Sequence, residues 1–216
     1  MADNPFHYGY NANVARYVDL NTGRFVSSDT VLRLMEERID ATFSELSSMT
    51  RVLVNSADLA GSIEEWQAAV MTALKNTHIE LGVLGGGGYD AMTPAMWGKL
   101  GATLRSEYGY LNDFAGRILS GEMGEAELFA TIRKYGDATW QSYWDVQTYA
   151  KEDAGFDLER YNLEPGAKHC PSCEDRAAQG FQPIGTLPEM CDTDCQSNDR
   201  CSKTYRNSVT GEEIDG

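Results

Sequence analysis

The stretch LGVLGGGGYDAMTPAMW, residues 81–97, decides the fold because it ends one helical pattern and begins another. Its four consecutive glycines, residues 85–88, stop a helix, since glycine loses more backbone freedom there than any other residue. Thr93 and Pro94 then begin a new helix, because threonine caps an N-terminus and proline is tolerated at the first helical position. A phosphate-binding loop is not predicted, because it would follow a strand and end in Lys-Ser or Lys-Thr. We expect a tight connection that allows another subunit's backbone to approach closely.

Apolar residues on both sides of this connection recur at spacings of three and four, which indicates amphipathic helices. The helix before the glycines is predicted to begin at Ser62, where Ser-Ile-Glu-Glu has the pattern of a capping box. Four helices joined by short connections predict an antiparallel helical bundle. They run from the cap cluster at residues 27–29 to Leu53, from Ser62 to the glycines, from Thr93 to Gly121 and from Glu125 to Gly155.

The sequence before the helices is rich in Asn, Tyr and Gly and has no helical period. We predict an extended N-terminal arm there, with one short strand or hairpin around Phe25 and Val26. Its aromatic side chains, including Tyr10 and Tyr17, cannot be buried by the arm alone, so we expect them to anchor it on another chain. The fold class is therefore mainly α. The predicted units are the arm at 1–27, the helical bundle at 28–160, a Cys-rich metal-binding segment at 161–206 and a polar tail at 207–216.

The charge balance limits the classes of partner. The chain has 216 residues, and 33 acidic residues against 18 basic ones give a net charge of −15. This charge opposes non-specific binding to nucleic acids and to anionic membranes. Neither a secretion signal nor an apolar run of membrane-spanning length is present, so we expect synthesis in a reducing cytosol.

Catalytic motifs are sparse in this sequence. The three histidines His7, His78 and His169 lie outside any nucleophile or metalloprotease motif, and His78 is most simply a histidine at the edge of the core. We therefore predict no catalytic residues and no enzyme activity.

All five cysteines lie between residues 168 and 205, and they are Cys170, Cys173, Cys191, Cys195 and Cys201. The first two form a Cys-x-x-Cys knuckle, in which two thiolates converge on one metal. Structural zinc is the favoured interpretation, although tetrahedral zinc needs four ligands and one thiol is then surplus. Disulfides, and free or catalytic thiols, are the alternatives. An odd number of cysteines in a cytosolic product argues against a pure disulfide framework.

The Cys-rich segment resembles the C-terminal signature of tailed-phage minor head, or head-morphogenesis, proteins. That signature has a His-Cys-Pro-x-Cys knuckle, a Gly-aromatic-x-Pro-x-Gly-x-Leu-Pro stretch and a cysteine cluster ending in Arg-Cys before a tyrosine. The corresponding elements here are HCPSC at 169–173, GFQPIGTLP at 180–188, and Arg200-Cys201 before Tyr205. Weaker similarities occur in GRFVS at 23–27 and in LGGGGYDAMT at 84–93.

The resemblance implies a virion structural protein, assembled in the host cytoplasm, that contributes to head morphogenesis or capsid stability. Its partners would be major capsid or portal-proximal proteins, or further copies of itself, contacted through the arm and the helical faces. The family's last cluster usually reads Cys-x-x-Asn-Cys-x-Cys, whereas Asp199 stands here in place of the middle cysteine. The expected zinc ligands are Cys170 and Cys173 with two of the other three cysteines, and the family pattern slightly favours Cys195 with Cys201.

A zinc-knuckle regulator or nucleic-acid accessory protein is the alternative function. It would require basic residues around the knuckle. Such residues are present, but they are diluted by acidic neighbours, which include Glu174, Asp175, Asp192, Asp194 and Asp199. Direct nucleic-acid binding is therefore not expected, and membrane binding is not expected either.

Overall fold

The chain is mainly helical, as predicted, with antiparallel strands at both ends of the helical part. A computed structural model describes residues 7–188, 194 and 201–215. The helices are α1 (Ser28–Val54), α2 (Leu59–Gly85), α3 (Pro94–Ser120), α4 (Glu125–Asp153) and the short α5 (Pro171–Ala178). The strands are β1 (Tyr8–Asn11), β2 (Arg16–Asp19), β3 (Phe25–Val26), β4 (Leu158–Asn162), β5 (Gln182–Pro183), β6 (Ser202–Arg206) and β7 (Glu213–Asp215). No helix in the described ranges is long and apolar enough to cross a membrane.

The helix ends follow local capping chemistry, with one correction. Thr93 caps α3 by accepting the N–H of Met96, and Gly121 ends the helix in the left-handed conformation, both as predicted. The capping box predicted at Ser62 is wrong. Instead α2 begins one turn earlier, because the side chain of Asp58 accepts the N–H of Gly61 and caps the helix. Aspartate is as strong an N-cap as serine, and it comes first in the chain.

Consecutive long helices run in opposite directions. Between consecutive helices, residue numbers rise along one helix while they fall along the next, as in Arg38–Glu80 with Thr50–Trp66 and in Lys99–Asp145 with Arg117–Glu127. Helices α2 and α4 pack against each other, and α1 and α3 each pack against both. The α2–α4 pair is parallel, since residue numbers rise together from His78–Ser142 to Gly82–Val146.

Small residues allow α2 to lie close to α4. A Cβ atom placed on Gly85 would come within 2.5 Å of the carbonyl oxygen of Tyr143, well inside contact distance. A Cβ atom on Gly82 would touch Leu100 and Val146 at 3.4 Å. Gly85 belongs to the glycine run that ends α2, so the same run also allows α2 to pack closely on α4.

The predicted N-terminal arm is instead a three-stranded antiparallel sheet packed on the helices. Strand β3 lies where the short strand was predicted. Tyr10 and Tyr17 are buried in the core around Met35, Leu84 and Tyr143. The Tyr17 and Tyr143 hydroxyls form a hydrogen bond with each other. These two tyrosines therefore contribute to the chain's own core, and the expectation that they order only against another chain is wrong.

The close backbone approach expected at the glycine run is made within the chain. Gly87 has a φ of +92°, which side-chain-bearing residues rarely adopt, and a Cβ atom there would lie 2.9 Å from the carbonyl oxygen of Tyr10. A Cβ atom on Gly9 would collide with the carbonyl of Gly87. Strand β1 therefore packs directly on the glycine loop, in the place where another subunit was expected.

A second antiparallel sheet follows the long helices, in the order β5-β4-β6-β7. Strand β4 starts at Leu158, ahead of the predicted boundary at residue 161, and pairs with β6 over five residues. Strand β7 lies within the predicted polar tail and pairs with β6. Hydrogen bonds between strands therefore join residues on the two sides of the predicted boundary at residue 161 and of the one at residue 207. The boundaries were predicted from changes in the pattern of apolar side chains, which backbone hydrogen bonding in a sheet does not require.

A buried lysine connects the two sheets to α4. The Lys151 ammonium lies over the rings of Tyr10 and Tyr205, 4.8 Å and 4.9 Å from their centroids. It donates a hydrogen bond to the backbone carbonyl of Asp215 over 3.1 Å. Burial lowers the pKa of Lys151 to about 7, although the negative charge of Asp215 acts in the opposite direction.

His78 was predicted at the edge of the core, and the structure buries it completely between α2 and α4. Its Nδ1 atom lies 2.7 Å from the Ser142 hydroxyl. Burial lowers the pKa of His78 to about 4, because the charged imidazolium is poorly solvated there.

We expect Gly9→Ala to lower the free energy of unfolding by about 1–3 kcal/mol, because the new methyl group overpacks against the Gly87 carbonyl. Gly101→Ala is the matched control, since nothing lies within 4 Å of a Cβ atom at that helical position. The control should stabilise α3 by about 0.5–1 kcal/mol, the difference in helix propensity. Urea unfolding measures both, and similar effects of the two substitutions would contradict the close approach of β1 to the glycine loop.

We also expect stability to fall between pH 6.5 and pH 4 because of His78. The unfolded chain binds a proton near pH 6.5 while the folded chain resists it to about pH 4, which corresponds to a loss of roughly 3 kcal/mol across that window. Urea unfolding across this range should show a shallower pH dependence for His78→Gln than for the wild type. His7→Gln, at an exposed histidine, should retain the wild-type slope, and equal slopes in all three proteins would refute the assignment.

Candidate metal centre

The Cys-x-x-Cys knuckle forms the start of helix α5. Cys170 is the residue before the helix, Pro171 occupies its first turn and Cys173 is buried on the inner side. The Cys170 carbonyl accepts the N–H groups of Cys173 and Glu174, which closes the first turn. A prolyl residue suits this position because it needs no hydrogen-bond acceptor. The turn therefore presents both thiols on the same side.

The two sulfur atoms of the knuckle lie 3.3 Å apart. A disulfide would bring them to about 2.05 Å. Two sulfurs that share a tetrahedral zinc ion, each at about 2.3 Å from it, lie roughly 3.8 Å from each other. The observed separation is close to the second value, so a small rotation of either side chain would fit the pair to one ion.

Cys201 belongs to the same small apolar cluster as the knuckle. The cluster consists of Tyr161, Cys173, Leu187 and Cys201, with Cys170 packed against it. Cys173 and Cys201 are both buried. The pairing of β6 with β4 brings the start of β6 beside α5, and so it brings together cysteines that are 28 or more residues apart in the sequence.

His169 lies beside Cys201 and was not among the predicted ligands. Its Nδ1 atom is 3.8 Å from the Cys201 sulfur, and its Nε2 atom is 3.0 Å from the carbonyl oxygen of Glu164. The sequence signal for this histidine is its position directly before Cys170 in the HCPSC motif. A prediction that considers only cysteines as metal ligands misses this histidine.

The predicted ligands divide into those that the structure describes and those outside it. Cys170, Cys173 and Cys201 are described, whereas Cys191 and Cys195 lie outside the described residues. Over residues 7–188, 194 and 201–215, no three His, Cys, Asp or Glu side chains lie close enough together to hold a metal ion. The described donors form two pairs, the thiols of Cys170 and Cys173 and the neighbouring side chains of Cys201 and His169.

A buried ion pair supports the Cys-rich segment. Lys203 on β6 donates to Glu159 on β4 over 2.9 Å, and the two side chains are 2% and 0% exposed. The other carboxylate oxygen of Glu159 accepts the N–H of Leu187 over 2.8 Å. This carboxylate therefore fixes the end of the GFQPIGTLP stretch against the sheet. Leu187 at that end belongs to the same cluster as Cys173 and Cys201.

Two basic residues of the Cys-rich segment are paired within the chain. Lys203 is in the buried pair with Glu159, and Arg206 pairs with Glu213 while its guanidinium lies 4.0 Å from the centre of the Phe181 ring. The buried Lys203 is not available to contact phosphates, whereas the Arg206 side chain is 39% exposed and Lys168, beside the knuckle, is exposed. The alternative of a nucleic-acid accessory protein stays a prediction.

Comparisons with known proteins identify no relative. No protein-family model matches the chain, and neither the curated proteins nor the solved structures contain a significant match.

We expect Lys203→Ala to lower the free energy of unfolding by about 3–5 kcal/mol, because it leaves the Glu159 carboxylate buried without its cation. Arg33→Ala is the control, since Arg33 and Glu37 form a pair whose side chains are 61% and 58% exposed. The control should change stability by no more than about 0.5 kcal/mol. If urea unfolding gives equal losses for the two variants, the Glu159–Lys203 pair does not support the segment.

Proposed function

We propose that the protein is a structural component of a phage virion, a minor head or capsid-associated protein that acts in head morphogenesis or capsid stabilisation. Its body is an antiparallel helical bundle, and a zinc-knuckle segment forms its C-terminal part. The observation that most directly supports this proposal is the Cys-rich signature that begins with HCPSC. Its residues Cys170, Cys173 and Cys201 lie in or against one small hydrophobic cluster. The role of this protein is to pack against other proteins, with no catalysis.

The zinc ion in this proposal has a structural role. Over the described residues of the segment that begins at residue 161, the hydrophobic cluster beside the knuckle has four buried members. So small a core rarely holds a loop-rich segment in place without a metal or disulfide. Cys170 and Cys173 provide two thiolate ligands at a suitable separation, and the remaining ligands come from the other cysteines of the segment or from a neighbouring side chain. Bound zinc would cross-link the segment and leave no open coordination position.

The partners in this proposal are major capsid or portal-proximal proteins, or further copies of the chain. Because Tyr10 and Tyr17 lie in the core, docking uses residues that remain on the surface of the N-terminal sheet and the helices. Val14 and Leu20, in the turns between the strands of the N-terminal sheet, and Phe25 on β3 are each about half exposed, at 47%, 49% and 51%. The acidic surface suits basic faces of shell proteins better than packaged DNA.

The experiment for the virion role is density-gradient purification of particles assembled with and without the protein, followed by mass spectrometry of the heads. We expect the protein to co-sediment with heads, and head yield or stability to fall when it is missing. A protein that stays at the top of the gradient and is retained on heparin would instead support the regulatory alternative.

The zinc prediction is tested on the purified protein under reducing conditions. Native mass spectrometry should show about one zinc ion per chain. Cys170→Ser and Cys173→Ser should each lower zinc affinity by tenfold or more, because each removes a thiolate. Ser106→Ala, at an exposed serine of α3, is the control and should retain wild-type affinity. Metal-free protein whose residues 166–205 still resist protease would refute the structural zinc site.

A further inference from the structure

We propose that the groove between α1 and α2 is a docking site for a basic amphipathic helix of a partner protein. The groove is a cavity of about 590 Å³ between the C-terminal half of α1 and the N-terminal half of α2. Its lining residues fall within residues 48–56 and 62–69. The inference goes beyond the virion role, because it concerns the chemistry of the partner and applies to any protein that presents such a helix.

The dimensions of the groove suit a helix. Residues 48–54 of α1 and residues 62–69 of α2 each extend for roughly 9–11 Å, at about 1.5 Å per residue. Positions i and i+7 of an incoming helix are separated by a similar length, about 10.5 Å. Two turns of a helix therefore fit along the groove, with apolar anchors at positions i, i+4 and i+7, which is the usual pattern of a helix bound in a groove.

The floor of the groove is apolar and partly open to solvent. It is formed by Met49, Val52 and Leu53 of α1 and by Trp66 and Ala69 of α2. Leu53 and Trp66 are buried, whereas Val52 is 73% exposed, the largest exposed fraction among the large apolar residues of the four long helices. An exposed valine beside buried apolar walls is surface that a partner's apolar side chains can cover favourably.

The charges around the groove favour a basic partner. The charged side chains between residues 45 and 69 are those of Glu45, Arg51, Asp58, Glu64 and Glu65. The four carboxylates are exposed, and Glu65 lines the groove itself. Arg51 is directed toward α4, where its guanidinium lies 5.4 Å from the centroid of the Phe129 ring. Lysine or arginine side chains on the polar face of an incoming helix would therefore meet an acidic rim, and such complementarity provides specificity.

The groove lies at the end of the bundle away from both sheets. Helix α2 extends for roughly 28 Å from Trp66 in the groove to Gly85, next to the loop on which β1 packs. Strand β4 likewise follows the end of α4 that lies beside the C-terminal end of α2, since α2 and α4 are parallel. Docking in the groove therefore requires no rearrangement of the N-terminal or C-terminal sheet.

The test uses a synthetic helical peptide of leucine and lysine, with leucine at positions i, i+4 and i+7, that carries a fluorescent label. Its counterpart has glutamate at every lysine position. Fluorescence anisotropy at about 0.15 M salt, where exposed charges are largely screened beyond roughly 8 Å, measures the dissociation constant of each peptide with the full chain. We expect the basic peptide to bind tenfold or more tightly than the acidic one.

Two matched variants separate docking in the groove from general attraction to an acidic protein. Val52→Asp and Tyr110→Asp each replace an exposed apolar residue by a carboxylate, at positions that are 73% and 63% exposed. Each makes the chain more negative, so attraction by overall charge alone would be equal or stronger in both. Val52→Asp should weaken binding by tenfold or more, because it places a carboxylate against the leucine face of the peptide. Tyr110→Asp, on α3, should remain within about threefold of the wild type.

Urea unfolding checks that both variants are folded, and Val52→Ser provides a second substitution that weakens the apolar floor without adding charge. A photoreactive leucine in the peptide locates the site independently, since its cross-links should map by mass spectrometry to residues 48–56 and 62–69. No binding of the basic peptide, equal affinity for the two aspartate variants, or cross-links elsewhere would overturn the proposal.

Sedimentation velocity distinguishes a partner helix from a second copy of the chain. A wild-type dimer that becomes a monomer on Val52→Asp would show that another copy covers the groove, and this result would also overturn the proposal. Each of these results leaves the virion role intact, because that role is tested separately by co-sedimentation with heads.

Discussion

The buried amino group of Lys151 is the interaction that joins three parts of the fold far apart in the sequence. A charged lysine removed from water costs several kcal/mol unless other groups replace its hydration. Here the replacements come from three separate parts of the chain, namely the ring of Tyr10, the ring of Tyr205 and the carbonyl of Asp215. Each cation–π contact of this kind contributes on the order of 1–2 kcal/mol when it is desolvated. Loss of any one of them removes part of that replacement and favours the neutral amine, since burial already lowers the pKa of Lys151 to about 7. The N-terminal sheet, α4 and the C-terminal sheet therefore all contribute to keeping Lys151 charged.

The glycines at the end of α2 make that arrangement sterically possible. Gly85 lets α2 approach the backbone of α4, and Gly87 lets β1 lie on the loop, which places Tyr10 over Lys151. The same four residues therefore end a helix, set the distance between two helices and position a strand. The buried Glu159–Lys203 pair has a comparable role in the C-terminal half, where it joins β4, β6 and the stretch before Leu187.

The helices were predictable from sequence because their signals are local. Apolar spacing and caps such as Thr93 act within one or two turns, and among the four long helices the start of α2 was misplaced, where Asp58 competes with Ser62. The short α5 was not predicted, because it has only eight residues and no extended apolar period. The N-terminal sheet was not predictable in the same way, because the burial of Tyr10 and Tyr17 depends on Tyr143 and on glycines about 70 residues away. Lys151 and Glu159 look like ordinary surface charges in the sequence, and their burial is a tertiary property. At the candidate metal centre, the knuckle was recognisable from spacing alone, whereas the proximity of Cys201 and His169 depends on the pairing of β4 with β6.

The hydrogen bonds to the Asp215 carbonyl have a consequence for the order in which the chain folds during synthesis. Both Lys151 and the Tyr10 hydroxyl donate to this carbonyl, and Tyr10 and Asp215 are 205 residues apart. On a ribosome, α1 to α4 can pair as they emerge, because their contacts are between neighbouring segments. The lysine, however, has only two of its three partners at most until β7 has left the exit tunnel. The site of Lys151, in the last turn of α4, is therefore completed only when β7 has emerged and paired with β6.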